Sequence, residues 1–134
     1  MLIREYKTED NKELLNLFNK CFNKNYDVIN MNPTGMIFVI LVDNKIVGMA
    51  TIDISNDIFK NIKYGYVNNV CIDPDYQGQG LSKKLMNKIL DYGINNGLEY
   101  IMLTSNKKRI AAHKLYKSMG YEIVDTCVFK KYIK

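Results

Sequence analysis

A glycine-rich turn, Gln-Gly-Gln-Gly-Leu-Ser at residues 77–82, has the composition of an anion-binding site. It follows an apolar, strand-like stretch and precedes residues with helical periodicity, so it is predicted to join a strand to the start of a helix. The first amides of a helix lack carbonyl partners and the helix dipole adds partial positive charge, so such a turn suits a phosphate or pyrophosphate. Lys83 and Lys84 add positive charge close to it.

Two familiar phosphate-binding patterns do not match this turn. The dinucleotide pattern GxGxxG requires a third glycine where the sequence has Lys83. The Walker pattern GxxxxGK[ST] requires lysine after its second glycine, whereas Leu81 follows Gly80. On the GxG pattern alone, Gly78 and Gly80 could equally form a tight turn without a ligand.

Hydrophobic periodicity predicts the elements that position the turn. Helices are predicted at about Glu9–Phe22, capped by Thr8, at Leu81–Ile94, and from Ile110 to a stop at Gly120. A loop is predicted at Asn23–Gly35, and strands at Met1–Tyr6, Met36–Val42, Ile46–Ile54, Ile62–Ile72, Glu99–Thr104, Tyr121–Val124 and Thr126–Tyr132. This order predicts an α/β (α+β) fold, a mixed, mostly antiparallel sheet flanked by helices.

The composition indicates one globular domain of 134 residues, 47% hydrophobic and 25% charged. Cys21, Cys71 and Cys127 are isolated and have no metal-ligand spacing, which indicates a reduced, cytoplasmic protein without a metal. The longest apolar run, Met36–Val42, is far shorter than the about 20 residues of a membrane helix, and no signal-peptide pattern is seen. The net charge of +5 permits an anionic ligand. The sequence has no basic stripe with interleaved aromatic residues on one element, so it does not favour nucleic-acid binding.

Two motifs together resemble the GCN5-related N-acetyltransferases (GNAT), which bind acetyl-CoA through a Q/R-x-x-G-x-G/A motif. Gln77 to Ser82 match this motif with serine at its last position, and Ala112 to Tyr121 are similar to the family's A-x-x-L-Y-x-x-x-G-F/Y helix end. The resemblance covers the whole chain in order. It implies the acyl-CoA N-acyltransferase fold in a single domain, residues 1–134, with acetyl-CoA as cosubstrate and a small amine or peptide as acceptor.

The resemblance also implies which residues hold acetyl-CoA. In the family, main-chain groups at the end of the fourth strand pair with the pantetheine arm, and the pyrophosphate lies on the amides of the turn. Cys71 is expected to be a small buried residue and not a nucleophile, so no covalent enzyme intermediate is needed. The implied cofactor-binding residues are Val70, Cys71, Ile72, Gln77, Gly78, Gln79, Gly80, Leu81, Ser82, Lys83 and Arg109, of which Arg109 could equally be a solvated cation.

Direct acetyl transfer needs a proton donor and a proton acceptor. Tyr116 matches the family tyrosine that protonates the CoA sulfur, and the alternative is a core tyrosine. Asn68 stands where many members carry a glutamate base, and an amide cannot accept that proton at neutral pH. Removal through an ordered water, or capture of the free amine, would serve instead. Asp53 and Asp73 are weaker candidate bases and are expected to be surface residues.

The departure at Asn68 leaves two function classes open. One is acetyl transfer from acetyl-CoA to a primary amine, and the other is a non-catalytic acyl-CoA-binding regulatory domain. The acceptor is not determined, although the first helix, the loop and the last strand pair are expected to form its cleft, and the resemblance also allows a homodimer. Candidate lining residues are Tyr26, Asp27, Met31 and Asn32.

Overall fold

The structure, a computed structural model, describes residues 1–27 and 35–134. It divides into two compact units, Met1–Thr104 and Ser105–Lys134, which are described separately. The first contains β1 (Leu2–Glu5), a 3₁₀ turn (Thr8–Asp10), α1 (Asn11–Phe22), β2 (Met36–Val42), β3 (Lys45–Asp57), β4 (Ile62–Ile72), a second 3₁₀ turn (Pro74–Tyr76), α2 (Leu81–Asn95) and β5 (Ile101–Leu103). The second contains α3 (Ile110–Ser118).

The five strands form one sheet in the order β1-β2-β3-β4-β5. Every neighbouring pair is antiparallel except β4 and β5, which are parallel because α2 connects them. The predicted mixed, mostly antiparallel sheet with flanking helices is therefore confirmed.

The β2–β3 hairpin fixes the register of the sheet. Asp43 and Asn44 both have positive φ, 50° and 63°, as a two-residue turn between twisted strands requires. The register then continues from Val42 opposite Lys45 to Met36 opposite Ile52, with one irregularity between Ile40 and Leu41.

The two helices of the first unit pack on opposite faces of the sheet. On one face Leu14 and Leu17 of α1 form a buried cluster with strand residues that include Met49 and Cys71. On the other face lie Leu85, Met86 and Ile89 of α2, all three fully buried. Alternate residues of a strand share a face, so Thr51, Asp53 and Ser55 of β3 lie on the same face of the sheet as Met49, which packs in the α1 cluster.

Two local expectations differ from the structure, and a third falls partly outside the described residues. The α1 start is not capped by Thr8: the Asp10 carboxylate accepts the Lys7 backbone amide at 2.8 Å and both amino groups of Arg4, a stronger, charge-assisted arrangement. The strands predicted at Tyr121–Val124 and Thr126–Tyr132 are absent, since residues 121–134 have no helix or strand. Part of the predicted 23–35 loop, with Met31 and Asn32, lies outside the described residues.

Candidate functional site

Within residues 1–27 and 35–134, no strand pairs with the end of β4 on its β5 side, and we call this side the open edge. β5 pairs only with Gly65, Tyr66 and Val67, whereas β4 continues to Ile72. In the same region, a register shift between Met49 and Thr51 of β3 and a φ of 54° at Asn69 mark a bulge in β4. A strand edge without a neighbour offers backbone donors and acceptors to an extended ligand arm.

The glycine turn begins at Gln77, and four residues, Asp73 to Tyr76, separate it from the end of β4. Gly78 and Gly80 have φ of 81° and 75°, and a Cβ built on either one would have no atom within 4 Å. The turn therefore needs glycine for its conformation and keeps open space above it. This is the surface that an anion needs in order to reach the backbone.

The start of α2 carries unpaired amides next to positive charge. Gly80 is the N-cap and supplies no side chain, and the first helical hydrogen bond runs from the Lys84 amide to the Gly80 carbonyl at 3.3 Å. The amides of residues 81–83 therefore have no helical partner. No acidic residue lies in the first turn, and Lys83 and Lys84 are exposed, so the electrostatics favour an anion.

Two of the predicted cofactor residues, Leu81 and Gln77, hold the turn in place. Leu81 is 5% exposed and anchors the helix start in the core, while Ser82 is half-buried. Gln77 donates through Nε2 to the Ile72 carbonyl at 3.3 Å, which links the turn to the strand end. Gln79 is exposed.

Asp73 is buried, which corrects its expected place on the surface. Its carboxylate lies 2.8 Å from Lys20 Nζ and accepts the Asp75 amide at 2.9 Å, and only 3% of the residue is exposed. Burial alone raises the pKa of Asp73, but the Lys20 ammonium and the Asp75 amide outweigh it and the net pKa is lowered. Because Lys20 also reaches Asp75 at 2.8 Å, this network ties the turn after β4 to the end of α1.

Cys71 is a buried core residue, as its sequence context predicts. It is 7% exposed and packs in the α1 cluster beside Cys21. The Cys21 thiol donates to the Ile72 carbonyl at 3.5 Å, and its hydrogen bond with Cys71 lowers the pKa of Cys21. Ile72 is likewise buried and Val70 is half-buried.

The two remaining candidate acid–base positions on β3 and β4 share a face. Asn68 is half-buried, and its backbone carbonyl accepts a hydrogen bond from the Thr51 hydroxyl at 3.0 Å. Asp53 is also half-buried and lies opposite Tyr66.

The second unit holds Tyr116 and Arg109. Tyr116 is 7% exposed and its ring lies edge-on to Tyr121, with centroids 5.9 Å apart. Burial raises the pKa of Tyr116, against a smaller lowering by the nearby Arg109 cation, so the hydroxyl is protonated at neutral pH. Arg109 is exposed at the N-cap of α3, and His113 is half-buried on that helix.

Sequence patterns missed the Lys20–Asp73 pair and the bulge at Asn69. The pair joins residues far apart in the chain, so no local pattern reports it. The signal that was available is Asp-Pro-Asp at residues 73–75, since an aspartate before such a turn commonly accepts the amide two residues on.

In residues 1–27 and 35–134, no helix has both the length and the apolar character needed to cross a bilayer. The same described ranges contain no group of three or more His, Cys, Asp or Glu side chains arranged to hold a metal ion.

The fold is that of known acetyltransferases. An aminoglycoside acetyltransferase from an uncultured soil metagenomic sample matches with a TM-score of 0.85 and 23% identity over 99% of this chain and 95% of that one. A ribosomal-protein-alanine N-acetyltransferase from Brucella melitensis biovar Abortus 2308 matches with a TM-score of 0.85 and 16% identity over 99% of this chain and 100% of that one. These identities show the fold alone.

The chain belongs to the acetyltransferase (GNAT) family, whose model matches residues 3–121. Among its relatives is N-acetylaspartate synthetase of Xenopus tropicalis, 29% identical over 69% of this chain and 32% of the relative. Another is the [ribosomal protein bS18]-alanine N-acetyltransferase of Escherichia coli (strain K12), 36% identical over 40% of this chain and 36% of the relative. The chain thus spans about a third of the length of these curated relatives.

Proposed function

We propose that this chain is an acetyl-CoA-dependent N-acetyltransferase that moves the acetyl group directly to a primary amine. The observation that carries the proposal is the adjacency of two surfaces in one segment, residues 68–83. The open edge of β4 suits an extended arm, and the glycine turn with the free amides of α2 suits a diphosphate. Acetyl-CoA presents both groups in one molecule.

The arm is assigned to the backbone of β4 at Val70, Cys71 and Ile72. The Ile72 carbonyl already accepts from Gln77 and Cys21, and a carbonyl has two lone pairs. Cys71 pairs with Met49, and the Asp73 amide donates to the Val47 carbonyl, so the backbone groups of Cys71 face β3. Val70 is therefore proposed to supply the hydrogen bonds to the arm, while Ile72 and its two donors shape the end of the edge.

The diphosphate is assigned to the turn and to the start of α2. Amides from Gly78 to Lys83 are the donors, and Lys83 adds a charge at the helix start. Arg109, from the second motif, is proposed as a further phosphate contact. Charge-assisted hydrogen bonds to backbone amides are about twice as strong as neutral ones, so the turn is expected to supply much of the affinity.

The chemistry requires two proton movements. The amine nitrogen attacks the thioester carbon, the carbon–sulfur bond breaks, and the departing thiolate takes a proton. We assign that proton to the hydroxyl of Tyr116, which is protonated at neutral pH and whose position matches the family motif. Asn68 cannot accept the amine proton, so a water on the β4 backbone, or capture of the free amine, is proposed for that step.

Calorimetry with acetyl-CoA, followed by thiol release across a broad amine panel, tests the proposal. We expect binding and turnover with at least one amine. Tyr116→Phe should lower kcat about a hundredfold, the scale of a lost general acid, while acetyl-CoA binding is kept. Tyr92→Phe, a half-buried tyrosine of α2 that packs on Phe38, is the matched control and should not change kcat.

Each result that contradicts the proposal points elsewhere. Binding without thiol release on any amine would favour a non-catalytic acyl-CoA-binding domain. Absence of binding would reject both functions, and an unchanged kcat in Tyr116→Phe would remove only the catalytic role of that residue.

We further propose that the two units act as one domain, because the family match at residues 3–121 includes parts of both. Cys21, Cys71 and Cys127, all within the described residues, form no disulfide with one another, which fits the reduced cytoplasm, where we place the reaction. Acceptors named for similar proteins are an aminoglycoside and a ribosomal-protein alanine, so small amines and peptides are the classes to test. A homodimer stays a prediction that light scattering can check.

A further inference from the structure

One face of the sheet, next to the open edge of β4, combines a carboxylate with several tyrosines. On β3 and β4, Asp53 lies opposite Tyr66 and Ser55 lies opposite Tyr64. On the β5 side, Tyr64 stacks on Tyr100 with centroids 5.1 Å apart and planes at 14°. We call this surface the tyrosine face and define it by Asp53, Ser55, Tyr64, Tyr66, Tyr100 and Thr104.

The tyrosine face is accessible and ordered. Asp53, Tyr64 and Tyr66 are half-buried, and Tyr100 is 44% exposed. The Tyr66 hydroxyl is held at 3.0 Å from the Thr104 hydroxyl, which fixes the ring beside Asp53. Side chains that are fixed in place lose little entropy when they bind a ligand.

The chemistry of the tyrosine face suits a positive charge. A carboxylate forms charge-assisted hydrogen bonds with an ammonium group, and the faces of aromatic rings attract cations. Asp53 can accept from an ammonium in addition to protein donors, because a carboxylate has about four lone-pair positions. The six residues that define this face include no lysine or arginine, and Asp53 is the one charged residue among them, so the charge of the face favours a cation.

The tyrosine face begins two residues along β4 from the start of the open edge. That edge begins at Asn68, and the pair formed by Asp53 and Tyr66 is two residues further down β4. Two residues of extended strand span about 7 Å. Asp53 lies on β3, and neighbouring strands are about 5 Å apart, so a cation held there would sit about 7 Å along the strands and at least about 5 Å across them from an amine reacting at the edge.

We propose that the acceptor carries two positive charges and that Asp53 binds the one that does not react. This inference rests on the proposed function and names its substrate class: diamines of intermediate length, or larger amines with a second ammonium at that spacing. Gly35 packs against one side of this carboxylate, because a Cβ there would collide with the Asp53 carboxylate and the Ile52 carbonyl. The chain can pass beside Asp53 only as glycine.

The test compares amines that differ only in the second ammonium: cadaverine against pentylamine, and putrescine against butylamine. We expect the diamine of each pair to have a kcat/KM at least about tenfold higher, the scale of one charge-assisted hydrogen bond. Asp53→Asn should lower the value for cadaverine about tenfold more than the value for pentylamine, mainly through KM. Asp91→Asn removes the same charge from an exposed position on α2 and should change neither.

Three outcomes would overturn the inference. Equal kcat/KM for diamine and monoamine in the wild type would reject the second cation while leaving the acetyltransferase proposal intact. A loss of kcat in Asp53→Asn that is equal for both amines would instead identify Asp53 as a base. No turnover with any amine would reject the proposed function itself. Melting temperatures of both variants, within the range of the wild type, establish that the variants are folded.

Discussion

Replacement of Gly80 by alanine separates the effect of backbone strain on stability from the effect of a blocked site on ligand binding. It has a φ of 75° and is the N-cap of α2, and a Cβ at this position would meet no protein atom within 4 Å. Replacement by alanine therefore causes no clash inside the protein. The new methyl group would occupy only the space above the turn, where the diphosphate is proposed to bind.

The expected magnitudes differ for stability and for binding. A non-glycine residue in the left-handed region costs about 1 to 2 kcal/mol, which lowers the melting temperature of a chain of this size by about 3 to 8 °C. A methyl group between the anion and the amides removes at least one hydrogen bond to a charged group, worth about 1.5 to 3 kcal/mol. The dissociation constant for acetyl-CoA should therefore rise at least about tenfold.

Gly97→Ala is the matched control. Gly97 follows the end of α2 with a φ of 69°, and a Cβ there would also meet no atom within 4 Å. The backbone cost is the same, but this end of α2 presents carbonyls and not amides. Scanning fluorimetry and calorimetry with acetyl-CoA should show similar melting temperatures for the two variants and weaker binding only for Gly80→Ala. Equal affinities in the two variants would refute the assignment of the diphosphate to this turn.

Two further predictions concern carboxylates that the fold holds in place. Asp73→Ala removes the acceptor of the Asp75 amide, a loss of about 1 kcal/mol, and also removes the partner of Lys20. This substitution should lower the melting temperature and weaken acetyl-CoA binding. Asp75→Ala, which removes an exposed carboxylate, should change both quantities less. Wild-type affinity of Asp73→Ala in calorimetry would show that other contacts hold the turn. At Asp10, the hydrogen bond from Arg4 lowers the pKa in spite of burial. Its stabilisation is present above the unfolded-state pKa of about 3.9 and is lost as pH falls through the lower folded-state pKa. The unfolding free energies of wild type and Asp10→Asn, measured with urea, should therefore differ at neutral pH and converge below about pH 3, and a difference that stays constant with pH would contradict this role of the ion pair.

The sequence predicted elements well where local signals determine their ends. The bounds Ile62–Ile72 of β4 are confirmed, because a proline-containing turn stops the strand. The α2 start at Leu81 is also confirmed, since glycine turn and helical periodicity meet there. β3, in contrast, extends beyond Ile54 to Asp57, because pairing with β4 continues to Ile62 and tertiary hydrogen bonding prevails over the low strand preference of Ser-Asn-Asp.

The sequence predicted the part of the candidate site that is formed by neighbouring residues of the chain. Gly78, Gly80 and Leu81 form the predicted turn from a strand into a helix, because spacing within one turn encodes that backbone geometry. The predicted surface position of Asp73 was wrong, because its carboxylate is buried against Lys20, which the fold brings close from α1. β5 is three residues long and not six: its pairing with β4 ends at Val67, shortly before the bulge at Asn69, and no residue type in β5 itself reports that.

The bulge at Asn69 places both the open edge and the tyrosine face. It gives β4 one residue more than β3 between two pairs, Cys71 with Met49 and Asn68 with Thr51. Cys71 and Asn68 are three residues apart and would face opposite ways in a regular strand, but their partners Met49 and Thr51 share a face, so they do too. A regular strand that kept Cys71 under α1 would turn the tyrosines of β4 towards the α2 core. Asparagine tolerates the positive φ that the extra residue requires, and this single distortion therefore lets one strand supply a buried end beneath α1, an edge for the arm, and a polar face for the acceptor.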